Sequence, residues 1–397
     1  MVFSGAFSFL SYLRVPSPIN IFSSLAESVG YKLSLSPAGR TCEQIIAAVG
    51  GLSMIGIVGR SAELLRFLDR LAHEDLEIEL DNEDGAPAKR KKVHKSYAPL
   101  NHVLEVVRKS NPEHQSVNTP HLNALIRCNV LKLGMALRCT ECLNTSWFSL
   151  ESLSSKLPCP RCLAEFGFPA GSPPKDAWAY RVTGPFAAGH FGHGAYCVAN
   201  ALHFLCENVT RKSSWIPSFE MRNEKGNTFE ADFGLLAAPS RFSHVSSPHL
   251  IIGECKSFNR FEEKDFARAR EAAKLFPGAV LCFCTFNDSL DQNEIRGLTR
   301  IASEGRERMG VGKQMNPVLI LTARELFSEF VMGGLHSLYG DKADYARAVY
   351  MRDDMEELSD FTQQLYLGMP SYHKWRENKL RKRLARRAAK GPVADKN

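Results

Sequence analysis

Apolar residues recur with different periods along this chain, and the changes of period divide it. Up to about residue 75, Ile45, Ile46, Val49, Leu52, Leu64, Leu65, Leu68 and Leu71 fall at three- and four-residue intervals, the spacing of one helical face. Gly50-Gly51 interrupts the run. Helical spacing returns over residues 98–135 through Leu100, Val103, Leu104, Val107, Leu122, Leu125 and Ile126. Between the two, the stretch from His73 to Lys95 has a run of acids followed by Lys89-Arg90-Lys91-Lys92, and reads as an exposed connection. Residues 1–135 are thus expected to form a mostly helical N-terminal region.

Beyond a Pro/Gly linker at residues 169–174 the pattern changes. Residues 192–209 predict an amphipathic helix with Val198, Leu202, Leu205 and Val209 near one face. Trp215–Met221, a turn at Asn223–Asn227 and a strand from Phe229 make a hairpin, followed through a polar loop by a strand over His249–Lys256. Alternation puts Leu250, Ile252, Glu254 and Lys256 on one face of that strand and Ile251, Gly253 and Cys255 on the other. A helix from Phe261 to Leu275 is closed by Pro277-Gly278. Ala279–Phe286 is an apolar run of the kind covered on both faces. A helix over about 288–307, a strand over Pro317–Leu321 and a capping box at Thr322-Ala-Arg-Glu325 complete the series. The expected fold class is α/β: a mixed sheet flanked by helices over residues 175–340, with a helical, basic tail at 341–397.

The cysteines add a small module. Cys139-Thr-Glu-Cys142 and Cys159-Pro-Arg-Cys162 are two CxxC pairs separated by sixteen residues. Two such turns offer four thiolates, the set that one structural Zn²⁺ takes in a tetrahedron, so residues 136–168 are expected to form a zinc ribbon. Trp147, Phe148, Leu150 and Leu153 between the pairs are candidates for its core.

Composition and charge narrow the class. With 397 residues, 44% hydrophobic and 23% charged, the chain can bury large cores. Its formal net charge of +7 is unevenly placed: Lys374 to Lys390 holds nine Lys or Arg against one acid, Glu377. Such a run is a solvated face or a contact for phosphate backbone. Eleven cysteines are too few for a disulfide scaffold of this length and fit a reduced, cytoplasmic setting. No apolar run approaches the ~18 residues of a membrane span, and no basic stretch precedes the apolar N-terminus as in a signal peptide, so no membrane partner is expected.

Two carboxylates and an ammonium then meet at one sheet edge, Asp232 from the hairpin and Glu254 and Lys256 from the next strand. A salt-bridged strand end has that composition, and so does a metal site for phosphodiester hydrolysis. Helix, hairpin, Asp on its second strand, Glu-x-Lys on the third, helix and strand resembles the PD-(D/E)xK restriction-endonuclease-like nuclease superfamily over roughly residues 180–325. Ala231 stands where the superfamily's name puts proline. The resemblance implies a nuclease dependent on Mg²⁺ or Mn²⁺, with DNA as the expected substrate. Asp232, Glu254 and the backbone carbonyl of Cys255 would hold the ion and Lys256 would orient water. Glu207 and Glu230 are accessory acid candidates, and Lys264 and Arg268, four apart on the following helix, are candidate phosphate contacts. Bacterial defence, with a protein partner, is the role such an enzyme suggests, and any ATP-driven motor would be that partner's, since the chain has no GxxxxGK[ST]. A catalytically silent nucleic-acid or protein-binding module on the same fold is the alternative.

Overall fold

The computed structural model describes residues 16–73, 75–80, 89–94, 96–110, 118–168, 177–210, 212–238, 248–308, 314–328, 331–352 and 354–389. Its centre is a six-stranded mixed sheet. In chain order and also in sheet order the strands are β1 Tyr31–Leu35, β2 Ser213–Asn223, β3 Thr228–Ala237, β4 His249–Lys256, β5 Val280–Thr285 and β6 Val318–Leu321. Neighbours from β1 to β4 are antiparallel and those from β4 to β6 are parallel. All six residues of β5 are buried, as its unbroken apolar run requires of a strand covered on both faces.

Helices cover both faces. Those used below are α1 Pro18–Ser28, α2 Pro37–Ala48, α3 Ala195–His203, α4 Glu263–Leu275, α5 Gln292–Arg308, α6 Met355–Leu367 and α7 Tyr372–Ala389. One core packs Ile45, Leu68, Leu202, Phe233, Ile251 and Phe361 together; the other, on the α1, α4 and α5 side, packs Phe22, Phe229, Ile252, Phe266, Phe283 and Leu298. Burying each such side chain is worth roughly 1.5–3 kcal/mol. The outer edge of β6 is closed by α6: Thr362 Oγ1 accepts from the Ile320 N–H at 3.3 Å, and Gln363 Nε2 donates to the Val318 carbonyl at 2.8 Å. That occupies edge groups otherwise open to another strand.

The hairpin, the Glu-Cys-Lys strand and the strand–helix alternation lie where the apolar pattern puts them. Three stretches differ. Tyr31–Leu35, inside the helical region, is the edge strand β1, and pairs with Leu35↔Phe219 through Tyr31↔Asn223. Asp75–Leu80 and Lys89–His94, expected as part of a connection, are paired antiparallel strands, with Glu77 opposite Lys92 and Glu79 opposite Arg90 in their register. Leu131–Arg138 is a strand, consistent with the two-residue alternation of LKLGMALR. It pairs with Thr145–Ser149 and Trp178–Val182, which ties the CxxC region to the chain on either side of it.

A local irregularity fixes the position of Asp232. Phe229 and Ala231 belong to one core but Phe233, Leu235 and Ala237 to the other, so the face alternation breaks at Asp232. The break lies against Pro217-Ser218 on β2, where Pro217 has no N–H for the ladder. The Ser218 carbonyl instead accepts from the N–H and Oγ of Ser36 at 3.0 and 3.1 Å. Helix α2 approaches so closely there that a Cβ on Gly39 would stand 2.1 Å from the Ser218 oxygen. Residues from the N-terminal region thus brace the strand at the position of Asp232.

Candidate active site

The β3–β4 ladder runs from Ala237↔His249 to Phe233↔Gly253 and stops there. Gly253 is required by contact: a Cβ would stand 1.9 Å from the Phe233 ring. Just past the last pair, Asp232 takes over the role of a ladder partner, its Oδ2 accepting the Cys255 N–H at 2.6 Å. The peptide joining Glu254 to Cys255 is therefore fixed beside Asp232. Glu254 is buried, and its Oε1 accepts from Lys256 Nζ at 2.9 Å, a contact allowed because residues two apart share a strand face. Asp232, in the middle of β3 where its ladder with β4 stops, and Glu254 and Lys256, at the end of β4, come together.

Helix α4 supplies two further charged groups. Asp265 is completely buried, and its Oδ1 accepts from Lys256 Nζ at 2.9 Å and from Arg268 Nη2 at 2.8 Å. Arg268 Nη2 also donates to Glu254 Oε1 at 3.0 Å, and its Nη1 lies 3.5 Å from Glu230. Arg268 thus points into the carboxylate cluster. Lys264, four residues earlier, is solvent-facing and pairs with Glu262 at 2.8 Å. Glu230 stands at the rim. Glu207 lies exposed in a π-helical turn, Phe204–Val209, that continues α3. Asp265 is not among the residues singled out from sequence. Its signal was the pair Glu262-x-x-Asp265 directly after the strand, which is a capping box: the Glu262 N–H donates to Asp265 Oδ2 at 2.8 Å.

Burial and like charge set the electrostatics. Desolvation pushes the Asp232 carboxyl up to about 6, against the pull of the Cys255 N–H and the Lys256 ammonium. Glu254 is pushed up to about 8, first by burial and then by the neighbouring Asp232 charge. Burial also acts on Asp265, but the Glu262 N–H and the Lys256 ammonium outweigh it and hold the carboxyl below its ordinary range. Burial works against the Lys256 ammonium too, and Glu254 and Asp265 overcome it, so its pKa is raised. With Glu230 counted, four carboxylates face two cations, Lys256 and Arg268. The excess of carboxyl groups over cations, the hard oxygen donors and the raised carboxyl values fit a divalent cation of the Mg²⁺ class. A cavity of about 20 Å³ beside Glu254 and Arg268, lined by Ala231, Ile252, Ala269 and Phe283, has room for a water molecule but not for a nucleobase.

The second cluster is of another kind. Cys139, Cys142, Cys159 and Cys162 bring their four sulfurs within 4.8 Å of one another, the one such group of His, Cys, Asp and Glu ligands among the described residues. The Cys139–Cys162 and Cys142–Cys159 sulfur distances are 3.8 and 3.7 Å, and a tetrahedron with Zn–S near 2.3 Å has edges of about 3.8 Å. Both knuckles have one design. The N–H of Leu143 bonds the Cys139 carbonyl at 3.1 Å, and that of Leu163 the Cys159 carbonyl at 2.9 Å. Leu143 and Leu163 both adopt left-handed backbone, at φ 60° and 63°. The Asn144 N–H holds the Cys142 thiol down at about 6. The Ala164 N–H favours the Cys162 thiolate, but burial and the neighbouring sulfurs outweigh it and push that thiol up to about 12. Four thiolates coexist there only around a cation, and the cluster suits a structural Zn²⁺. Phe148, Leu157 and Phe166 make its core, with Leu153 packed against it. Leu150 is exposed, and Trp147 turns away to donate its Nε1–H to the Ala179 carbonyl at 3.1 Å.

No protein-family model matches the chain, and no curated protein matches it in sequence. Among solved structures it is similar to the crystal structure of protein VC1899 from Vibrio cholerae, with a TM-score of 0.32 and 12% identity. The match covers 82% of this chain and 61% of that one, so the chain spans less than two thirds of its length. A likeness at that TM-score carries no argument about the site.

Proposed function

We propose that the protein is a nuclease dependent on Mg²⁺ or Mn²⁺ that hydrolyses phosphodiester bonds of DNA. The observation that carries this reading is the meeting of Asp232 and Glu254 with Lys256 where the β3–β4 ladder stops, in a cluster with more carboxyl groups than cations. A bound divalent ion would supply Lewis-acid stabilisation of the phosphate and acidify a water. Asp232, Glu254 and the Cys255 carbonyl would hold it, leaving positions for water and substrate. Lys256, kept charged by Glu254 and Asp265, orients the attacking water and offsets charge building on the phosphate oxygens. Arg268, facing the same carboxylates, offers a second cation to the phosphate. Helix α7, whose Lys374, Arg376, Arg381, Lys382 and Arg383 are exposed, would supply basic surface for the DNA backbone.

Supercoiled DNA, linear DNA and RNA, each incubated with the protein and Mg²⁺ beside its Lys256→Ala variant, test the proposal. Expected is metal-dependent cleavage of DNA that the variant loses. Binding without cleavage of any of the three would favour the silent binding module.

A further inference from the structure

Asp265 and Glu254 compete for the same two cations. Lys256 Nζ lies 2.9 Å from each, and Arg268 Nη2 lies 2.8 Å from Asp265 and 3.0 Å from Glu254. The two carboxylates differ in freedom. Asp265 is locked, because its Oδ2 closes the capping box of α4 through the Glu262 N–H and its side chain has no exposure. It also sits in the first turn of a thirteen-residue helix, where a negative charge is favoured. Glu254 has no helix cap to maintain and lies beside Asp232, where the proposed ion would be held.

We infer that Asp265 is a positioning residue: it retains Lys256 and Arg268 when Glu254 gives them up for a divalent cation. This rests on the nuclease reading of the same site. In the resting site Arg268 competes with the ion for Glu254. Once Glu254 turns to the ion, Asp265 keeps both cations at the site, Lys256 toward water and Arg268 toward phosphate. Without the Asp265 charge, Glu254 is left as the close anionic partner of both cations, and a buried carboxylate so paired is costly to free. Arg268 then becomes a stronger competitor than it is in the native site.

Mn²⁺ titrated calorimetrically into the full-length, zinc-loaded protein tests this without substrate. Asp265→Asn keeps an oxygen for the Glu262 N–H but loses the charge, and should weaken Mn²⁺ binding about tenfold. Arg268→Ala should tighten it about threefold in the native background and about tenfold or more when combined with Asp265→Asn, a coupling expected only of residues that share a partner. Arg268→Ala should also cleave more slowly despite its tighter ion. Effects that simply add, or two single variants that both weaken binding, would overturn the role of Asp265 and leave the nuclease reading intact. If the native protein binds no Mn²⁺, or Asp232→Ala binds it equally well, both inferences fall.

Discussion

The four-cysteine cluster and the Asp232 cluster are built on opposite principles. In the first, four like groups come from two short turns of one design, each closed by its own backbone hydrogen bonds. All four positions around a zinc ion are then filled by protein, which leaves none for a substrate and makes the site a fastening. In the second, unlike charges come from β3, β4 and α4, and the cations already present neutralise part of the acid. The protein offers few oxygens and keeps its own ammonium and guanidinium beside them, an arrangement suited to exchange of ion, water and phosphate. One cluster is closed and local, the other open and assembled over distance.

Changes that separate the two clusters differ widely in expected size. Cys159→Ser should be the most damaging to the fold. Zinc measured by mass spectrometry should fall from about one per chain to near zero, and amide exchange over residues 131–168 should rise. Structural zinc contributes on the order of 10 kcal/mol to small domains. Lys256→Ala should lower Mg²⁺-dependent cleavage by about 10²–10⁴-fold, the range for loss of a proton-handling group, with zinc content unchanged.

A smaller effect follows from linkage. Without Mg²⁺, Asp232 and Glu254 titrate near 6 and 8 in the folded protein instead of at their ordinary 3.8 and 4.5. The folded state holds more protons than the unfolded one across that interval, so their contribution is complete below about pH 4 and is lost as pH rises through 6 and 8. The lowered Asp265 and the raised Lys256 act outside that window. Between pH 5 and 8.5 the Mg²⁺-free protein should therefore lose more melting temperature than its Glu254→Gln variant, in which the histidines His121 and His203, lowered by burial, still act in the opposite direction. Equal changes in the two proteins over this interval would contradict the buried-carboxylate picture. Glu230→Gln should do least. Its side chain is 56% exposed and stands 3.5 Å from Arg268, so cleavage should change by less than about threefold.

How much of this is legible in the sequence depends on distance along the chain. The knuckles are legible because CxxC spacing is itself the geometry, and Glu254-Cys-Lys256 because strand alternation puts both charges on one face. Asp265 is not, since Glu262-x-x-Asp265 has the form of any helix cap, and only the fold shows that its second oxygen meets Lys256. Strand β1 escapes notice because YKLSL is five residues between two helices and its partner begins at Ser213. The hairpin at Asp75–Leu80 and Lys89–His94 has the composition of solvated charge runs; that acids face bases across the register is visible only once the strands are paired. Arg268 is legible as a cation, and its direction is not: Lys264 lies on the same helix and faces solvent.

The central claim is that the Asp232 cluster cleaves while the cysteine cluster fastens. It is tested most directly by the rate of Mg²⁺-dependent plasmid nicking for Asp232→Ala protein that retains its full zinc. Loss of nicking at unchanged zinc content, in protein that still unfolds cooperatively, is the expected result. Nicking at the native rate in that variant would contradict the claim.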